Sequence, residues 1–376
     1  MAAISGPLDL AQKLVAINTC NPPGNEAAVA ELVGGLLAAA GFSLARLEHA
    51  PGRTSLVARL AGGDRRPPLC LSGHSDTVPL GGAPWSGDPF AGEVAGGRLM
   101  GRGSSDMKGG LAAIVWTACE LARHPLSAAG LTVVVCSDEE NGCQGSRHLA
   151  AHPEALGPAG ALIVAEPTGN LPWLGHKGVL WLKALYRGKA AHASMPHAGD
   201  NAIYKAARAA LALAGLDFGG IRHPLLGGPT VNVGTIAGGT RVNMVPDAAE
   251  LSVDLRSVPG MAQAHLRALA AAALGPEAAL TELDNTPAVW TEPEHPWVQE
   301  VWSVVHAITG RAPAPGGAPY FTDASHLRRA FGPIPTLILG PGEPTQAHQT
   351  DEWCEVVKIE QAAAAFLEIG RRWCGA

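Results

Sequence analysis

The run Leu131–Cys136, LTVVVC, carries no charge and is followed at once by Ser137, Asp138, Glu139 and Glu140. An apolar, β-branched run of this kind predicts a strand buried on both faces, and such strands belong to parallel sheets covered by helices. Three adjacent carboxylates at its end repel one another unless a cation compensates them. One segment thus constrains both the fold and the chemistry.

The chain around it alternates. Residues 9–16 and 26–40 read as helices, the second closed by Gly41. Short apolar runs at 56–60, 69–72 and 161–164 read as strands, with helices over 109–121 and 146–151. From about Gly175 the rhythm changes to strand 179–186, helix 201–214, strands 230–236 and 249–256, helix 261–273 and strand 279–283. That is the β-α-β-β-α-β order of a split βαβ unit. The end returns to helix 297–309, strand 336–339 and a helix from about Lys358. The expected fold class is α/β, a mostly parallel mixed sheet flanked by helices, with an inserted α+β ferredoxin-like domain. The expected boundaries are a metal-binding catalytic domain over 1–176 and 288–376, interrupted by 177–287.

Composition narrows the function. With 27 basic and 33 acidic residues the net charge is −6, so no cationic surplus exists to neutralise nucleic-acid phosphates. Asp9 and Lys13 interrupt the first apolar stretch, which reads against a signal peptide, and no apolar run approaches the ~18 residues of a membrane span. The seven cysteines are dispersed with no C-x-x-C, the pattern of reduced thiols in a cytoplasmic protein.

Polar groups cluster just after the apolar runs: His74 and Asp76 after LCLS, Asp106 after GRGSS, Glu139 and Glu140 after LTVVVC, Glu166 after ALIVA, and His348 after TLILGPG. In an open α/β sheet the carboxyl ends of the strands form the ligand crevice. His74, Asp106, Glu140, Glu166 and His348 make a mixed nitrogen and oxygen set suited to zinc, cobalt or manganese. Asp76, two residues from His74 on an extended segment, can accept the second imidazole N–H and fix the tautomer. Asp106 can bridge two ions, as imidazole cannot. One glutamate of the pair can ligate while the other accepts a proton from water acidified by the cations.

The segments SGHSDTVP, GRGSSDMKGGLAA, SDEENG and GPGEPTQAHQTDEW together resemble the dinuclear zinc amidohydrolases and exopeptidases. That family includes acetylornithine deacetylase, succinyl-diaminopimelate desuccinylase, aminoacylase and glutamate carboxypeptidase, and the closing motif looks most like the first. The resemblance implies one zinc held by His74, Asp106 and Glu166 and a second held by Asp106, Glu140 and His348, with cobalt or manganese as possible substitutes. It implies Glu139 as general base and then acid, Asp76 as the partner of His74, and a cis peptide at Asp106–Met107. It makes the inserted domain a dimerisation or lid domain of a homodimer. Within that domain His192, in GKAAHAS, matches a histidine that enters the partner's site to support the oxyanion. Asn243 and Arg256 match residues at the substrate, Arg256 clamping its carboxylate. The implied substrates are N-acyl amino acids or short peptides. Thr350 stands where the deacetylase has proline, Ser104-Ser105 where it often has Thr-Cys, and the loop Tyr320–Ser325 departs from it.

Other chemistries lack their motifs. No G-x-S-x-G nucleophile elbow occurs, no G-x-G-x-x-G, and no lysine followed by Ser or Thr as a P-loop requires. A metal-free binding module of the same fold would not need the complete ligand set.

Overall fold

The computed structural model describes residues 4–376. One sheet has the strand order Ser43–Ala50, Arg53–Leu60, Leu131–Cys136, Leu69–His74, Ala161–Val164, Thr336–Ile338. The last four run parallel, His74 lying level with Cys136. The first two are antiparallel. The three middle apolar strands have no exposed residue, as runs of Leu, Val and Ile without alternation require. Helices flank this mostly parallel sheet.

The edge hairpin departs from the sequence reading, which expected only the 56–60 run. Ser43–Ala50 carries Arg46, Glu48 and His49 and is at most half-buried along its length. An edge strand that packs on one face needs no apolar run.

Helix Gly109–Leu121 is the centre of the core, buried on nearly every side. It packs on helices Pro7–Val15 and Val356–Cys374. Leu111, Ile114, Val115 and Leu121 are wholly buried, each worth roughly 1.5–3 kcal/mol relative to exposure. The helix opens on two glycines, the second of them because it runs against the end of strand Ala161–Val164. A Cβ on Gly110 would stand 2.2 Å from the Ala165 carbonyl oxygen. The last helix buries Ile359, Ala362, Ala363, Phe366 and Ile369, a stripe at helical spacing, and ends at Gly375 in the left-handed region.

The chain divides into two compact units. One contains the residues as far as Gly175 together with Trp290–Gly317 and Thr322–Ala376; the other is His176–Val289 with Ala318–Phe321. The sequence pattern places Ala318–Phe321 with the closing segment, whereas its contacts place it in the second unit. The second unit's sheet has the order Thr230–Gly238, Ala248–Ser257, Gly178–Arg187, Ala278–Thr286, every pair antiparallel. Its helices, Ala202–Ala214 and Gln263–Leu274, pack on each other and on the sheet. Strict alternation of buried and half-exposed residues along Ala248–Ser257 reflects this one-sided cover. Asn201 caps the first of these helices, its side-chain oxygen accepting from Ile203 N at 2.9 Å and Tyr204 N at 3.2 Å.

All seven cysteines are free thiols. No helix among the described residues is long and apolar enough to cross a membrane.

Candidate metal centre

Four parallel strands end along one edge of the first unit's sheet, and each delivers polar groups there. His74 is the last residue of its strand, Glu139 and Glu140 follow Cys136, Glu166 follows Val164, and the loop after Ile338 leads to His348. Asp106 comes from an irregular turn, Ser104–Lys108, in front of the central helix. The Asp106–Met107 peptide is cis. A Cβ on Gly342 would stand 2.1 Å from the Ser105 carbonyl oxygen, so only glycine lets the His348 loop lie this close to the Asp106 turn.

Asp106 lies between two groups. Its Oδ1 is 3.1 Å from His74 Nε2, which is in turn 3.8 Å from Glu166 Oε2. Its Oδ2 is 3.5 Å from His348 Nε2, which is 3.0 Å from Glu140 Oε2. Ligating atoms of His74, Asp106 and Glu140 all lie within 4.8 Å of one another, as do those of His74, Glu139 and Glu166. All six side chains named in the sequence reading as ligands or base are thus brought together.

The donor set fits divalent cations. Glu140 Oε1 and Glu166 Oε1 are buried without a hydrogen-bond partner, acceptors left for a cation. Charge points the same way. Burial, reinforced by Asp106, raises the Glu140 carboxyl; burial raises Glu166 to about 7. Burial and then Glu166 push Glu139 well above the carboxylate range. Burial alone would lower His74, but Glu166, Asp106 and Asp76 carry it well above its usual value. Hydrogen bonds to Asp106 and Glu140 take His348 to about 10. Burial opposes ionisation of Asp106, yet His348 and His74 outweigh it and hold its carboxyl low. The pocket has too many carboxylates for its positive charge, the deficit that bound cations make good.

Asp76 touches both His74 and the glutamate pair. The His74 ring donates from Nδ1 to the Asp76 main-chain carbonyl at 3.0 Å, while the carboxylate stands 3.6 Å away. That carboxylate also accepts from Glu139 N at 3.0 Å, Glu140 N at 3.2 Å and Asn21 Nδ2 at 2.8 Å. A single residue therefore sets the His74 tautomer through its backbone and fixes the glutamate pair through its side chain.

The remaining predicted residues lie in the second unit. His192 is exposed and paired through Nδ1 with Ser194 Oγ at 2.7 Å. Ala193 N donates to the Asn243 carbonyl at 3.1 Å, so the segments of His192 and Asn243 are neighbours. Arg256 is paired with Asp254, its Nε and Nη2 each reaching that carboxylate at 2.8 Å, while its buried Nη1 has no hydrogen-bond partner.

Residues 70–372 match the model of peptidase family M20/M25/M40. The chain belongs to that family. It is 31% identical to acetylornithine deacetylase of Vibrio atlanticus, covering 89% of this chain and 88% of that protein. It is 34% identical to succinyl-diaminopimelate desuccinylase of a Methylobacterium species, covering 98% and 96%. The fold superposes on an M20 family metallo-carboxypeptidase from Sulfolobus solfataricus with a TM-score of 0.79 at 19% identity, over 98% and 99% of the two chains. This M20/M25/M40 member is accordingly a metallohydrolase acting on amide bonds.

Two supports of the M20 site carried no assigned role in the sequence reading. Arg53, from the edge hairpin, binds Glu26 Oε1 through Nε and Nη2 at 2.9 and 2.6 Å, Asp138 Oδ1 at 2.7 Å and Asn21 Oδ1 at 3.0 Å. Glu352, in the His348 loop, is wholly buried and bonded to the Asp106 turn. Both act largely through main-chain groups or distant partners, which residue types alone do not reveal. The segment GPGEPTQAHQTDEW, which holds both His348 and Glu352, carries the sequence signal for Glu352.

Proposed function

We propose that the protein is a dizinc deacylase that cleaves the amide of N-acyl amino acids, in the manner named for the acetylornithine deacetylases it resembles. The observation that carries this is Asp106 standing between the His74–Glu166 and His348–Glu140 groups. One ion would be held by His74, Asp106 and Glu166, the other by Asp106, Glu140 and His348; cobalt and manganese suit the same donors. Bound there, the ions would supply Lewis acidity, lowering the pKa of water towards about 7 and polarising the amide carbonyl.

The chain's own groups would do the rest. Glu140 is engaged by His348 at 3.0 Å, whereas the Glu139 Oε1 accepts from the Cys143 thiol at 3.4 Å. Glu139 is therefore the member of the pair left to take a proton from the attacking water and return it to the leaving amine. Asp76 holds both glutamate main-chain groups in place. We assign His192 to oxyanion support in the partner's site, Asn243 to substrate contact and Arg256 to the substrate carboxylate. The second unit would serve as dimerisation or lid domain in a cytoplasmic homodimer. Its edge strand Thr230–Gly238 and the exposed Ile236, Val242 and Leu211 support an interface there.

A desuccinylase is the second reading, favoured by 34% identity across nearly the whole chain to the succinyl-diaminopimelate enzyme. The deciding experiment is release of free amine from N-acetyl amino acids, N-succinyl amino acids and dipeptides. The chain is first stripped by chelator, then given zinc, cobalt or manganese. Turnover of N-acetyl substrates is expected. Preference for N-succinyl substrates would select the second reading, and no amine from any substrate with any metal would overturn both.

A further inference from the structure

We infer that Glu352 and Arg102 form a buried strut that positions Asp106 and His348 against each other, an inference that rests on the metal reading above. Glu352 is fully buried and Arg102 is 1% exposed. Every acceptor direction of the carboxylate is taken: Oε1 accepts from Ser105 N at 2.8 Å and Asp106 N at 2.9 Å, and Oε2 from Gly103 N and Arg102 Nη1, each at 2.8 Å. The guanidinium donates back to the same loop at the Gln349 carbonyl and to one further loop at the Pro79 carbonyl, each at 3.1 Å. Gln349 is the neighbour of His348. Two further bonds close the brace, Gly101 N donating to the Glu352 carbonyl at 2.9 Å and the Ser105 hydroxyl to the Trp353 carbonyl at 2.7 Å.

This arrangement is a poor choice if its task is only to hold the fold. Well-packed apolar residues usually match or exceed a buried ion pair in stability. What charge-assisted bonds to successive N–H groups supply is direction: they fix the turn that aims the Asp106 carboxylate. Glu352 itself stands in the loop that carries His348, and Arg102 ties that loop a second time at the Gln349 carbonyl. The two residues that would share the second ion are thus set by one buried group distant from the first in sequence. Ligand shells require placement to about 0.5 Å, which loops alone do not provide. Glu352 and Arg102 are positioning residues, since neither is among the groups facing the cluster.

The test uses the full-length chain loaded with cobalt, comparing wild type, Glu352→Gln and Arg102→Lys. Cobalt affinity is read by competition with a chromophoric chelator, the ligand field by visible absorption, and folding by circular dichroism. Wild type is expected to bind two equivalents. Each variant should keep one and bind the second about 10–100-fold more weakly, with an altered spectrum. A wild-type chain that binds no divalent ion sinks the metal reading and the strut with it. Wild type binding two, with either folded variant matching it in affinity and spectrum, overturns the strut alone. If both variants fail to fold, the pair is a folding element and the positioning claim is overturned.

Discussion

Replacing Arg53 by methionine tests whether the charge network beneath the site is held by one cation. Arg53 is buried among Glu26, Asp138 and, at 4.0 Å, Asp76. Methionine keeps most of the stem packing but leaves the Glu26 and Asp138 carboxylates without their shared partner. Breaking a buried pair by removing one member costs about 3–5 kcal/mol. At ~2 °C per kcal/mol, the low end for domains of about 150–250 residues, the melting temperature should fall by about 6–10 °C near neutral pH. The pH dependence has a definite sign. Burial, then Asp76, holds the Glu26 carboxyl above its usual value of 4.5 even with Arg53 present. An acid raised in this way favours the native state at low pH, because the folded chain keeps a proton that the unfolded chain releases. That contribution is lost as pH rises through the folded value. Without Arg53 the carboxyl rises further, so the variant's deficit should shrink as pH falls towards about 5. Thermal melts of both proteins at about pH 5 and 8 measure it. A deficit under about 2 °C, or one that does not narrow at the lower pH, refutes the reasoning.

Glu139→Gln should retain both metals, since the Glu140–His348 pair is untouched, while kcat drops roughly 10²–10⁴-fold; near-normal turnover removes the general-base assignment. Arg256→Ala should raise KM for carboxylate-bearing substrates by roughly 10–100-fold, the worth of a charge-assisted hydrogen bond, with kcat little changed. An unchanged KM would mean that the Asp254 pair is the arginine's whole role.

The ligand-bearing positions were legible because apolar runs with no exposed residue end abruptly in His74, Glu139-Glu140 and Glu166. A strand buried on both faces announces its own end, and side chains there must face a crevice. The hairpin strand Ser43–Ala50 was not legible, because a half-covered edge strand is polar enough to pass for a loop. Glu352 and Arg53 escaped for a different reason. Their work is done on backbone N–H groups and on partners such as Asn21 and Asp138, contacts that exist only once the loops have met. Arg256 shows another limit: the resemblance implies a substrate clamp, and the pair that its Nε and Nη2 make with Asp254, two positions away, is visible only in the fold.

The two imidazoles differ in one respect that reaches beyond geometry: the His74 side chain is 1% exposed and that of His348 is 54% exposed. On the dizinc reading, one cation would be sealed in and its neighbour would sit at an open doorway, exchanging with the medium. The fraction of fully charged molecules would then follow the supply of free divalent ion, with a half-loaded form persisting when supply is short. Stepwise withdrawal of metal by a graded chelator series should show two stages, and a single concerted loss would contradict that asymmetry.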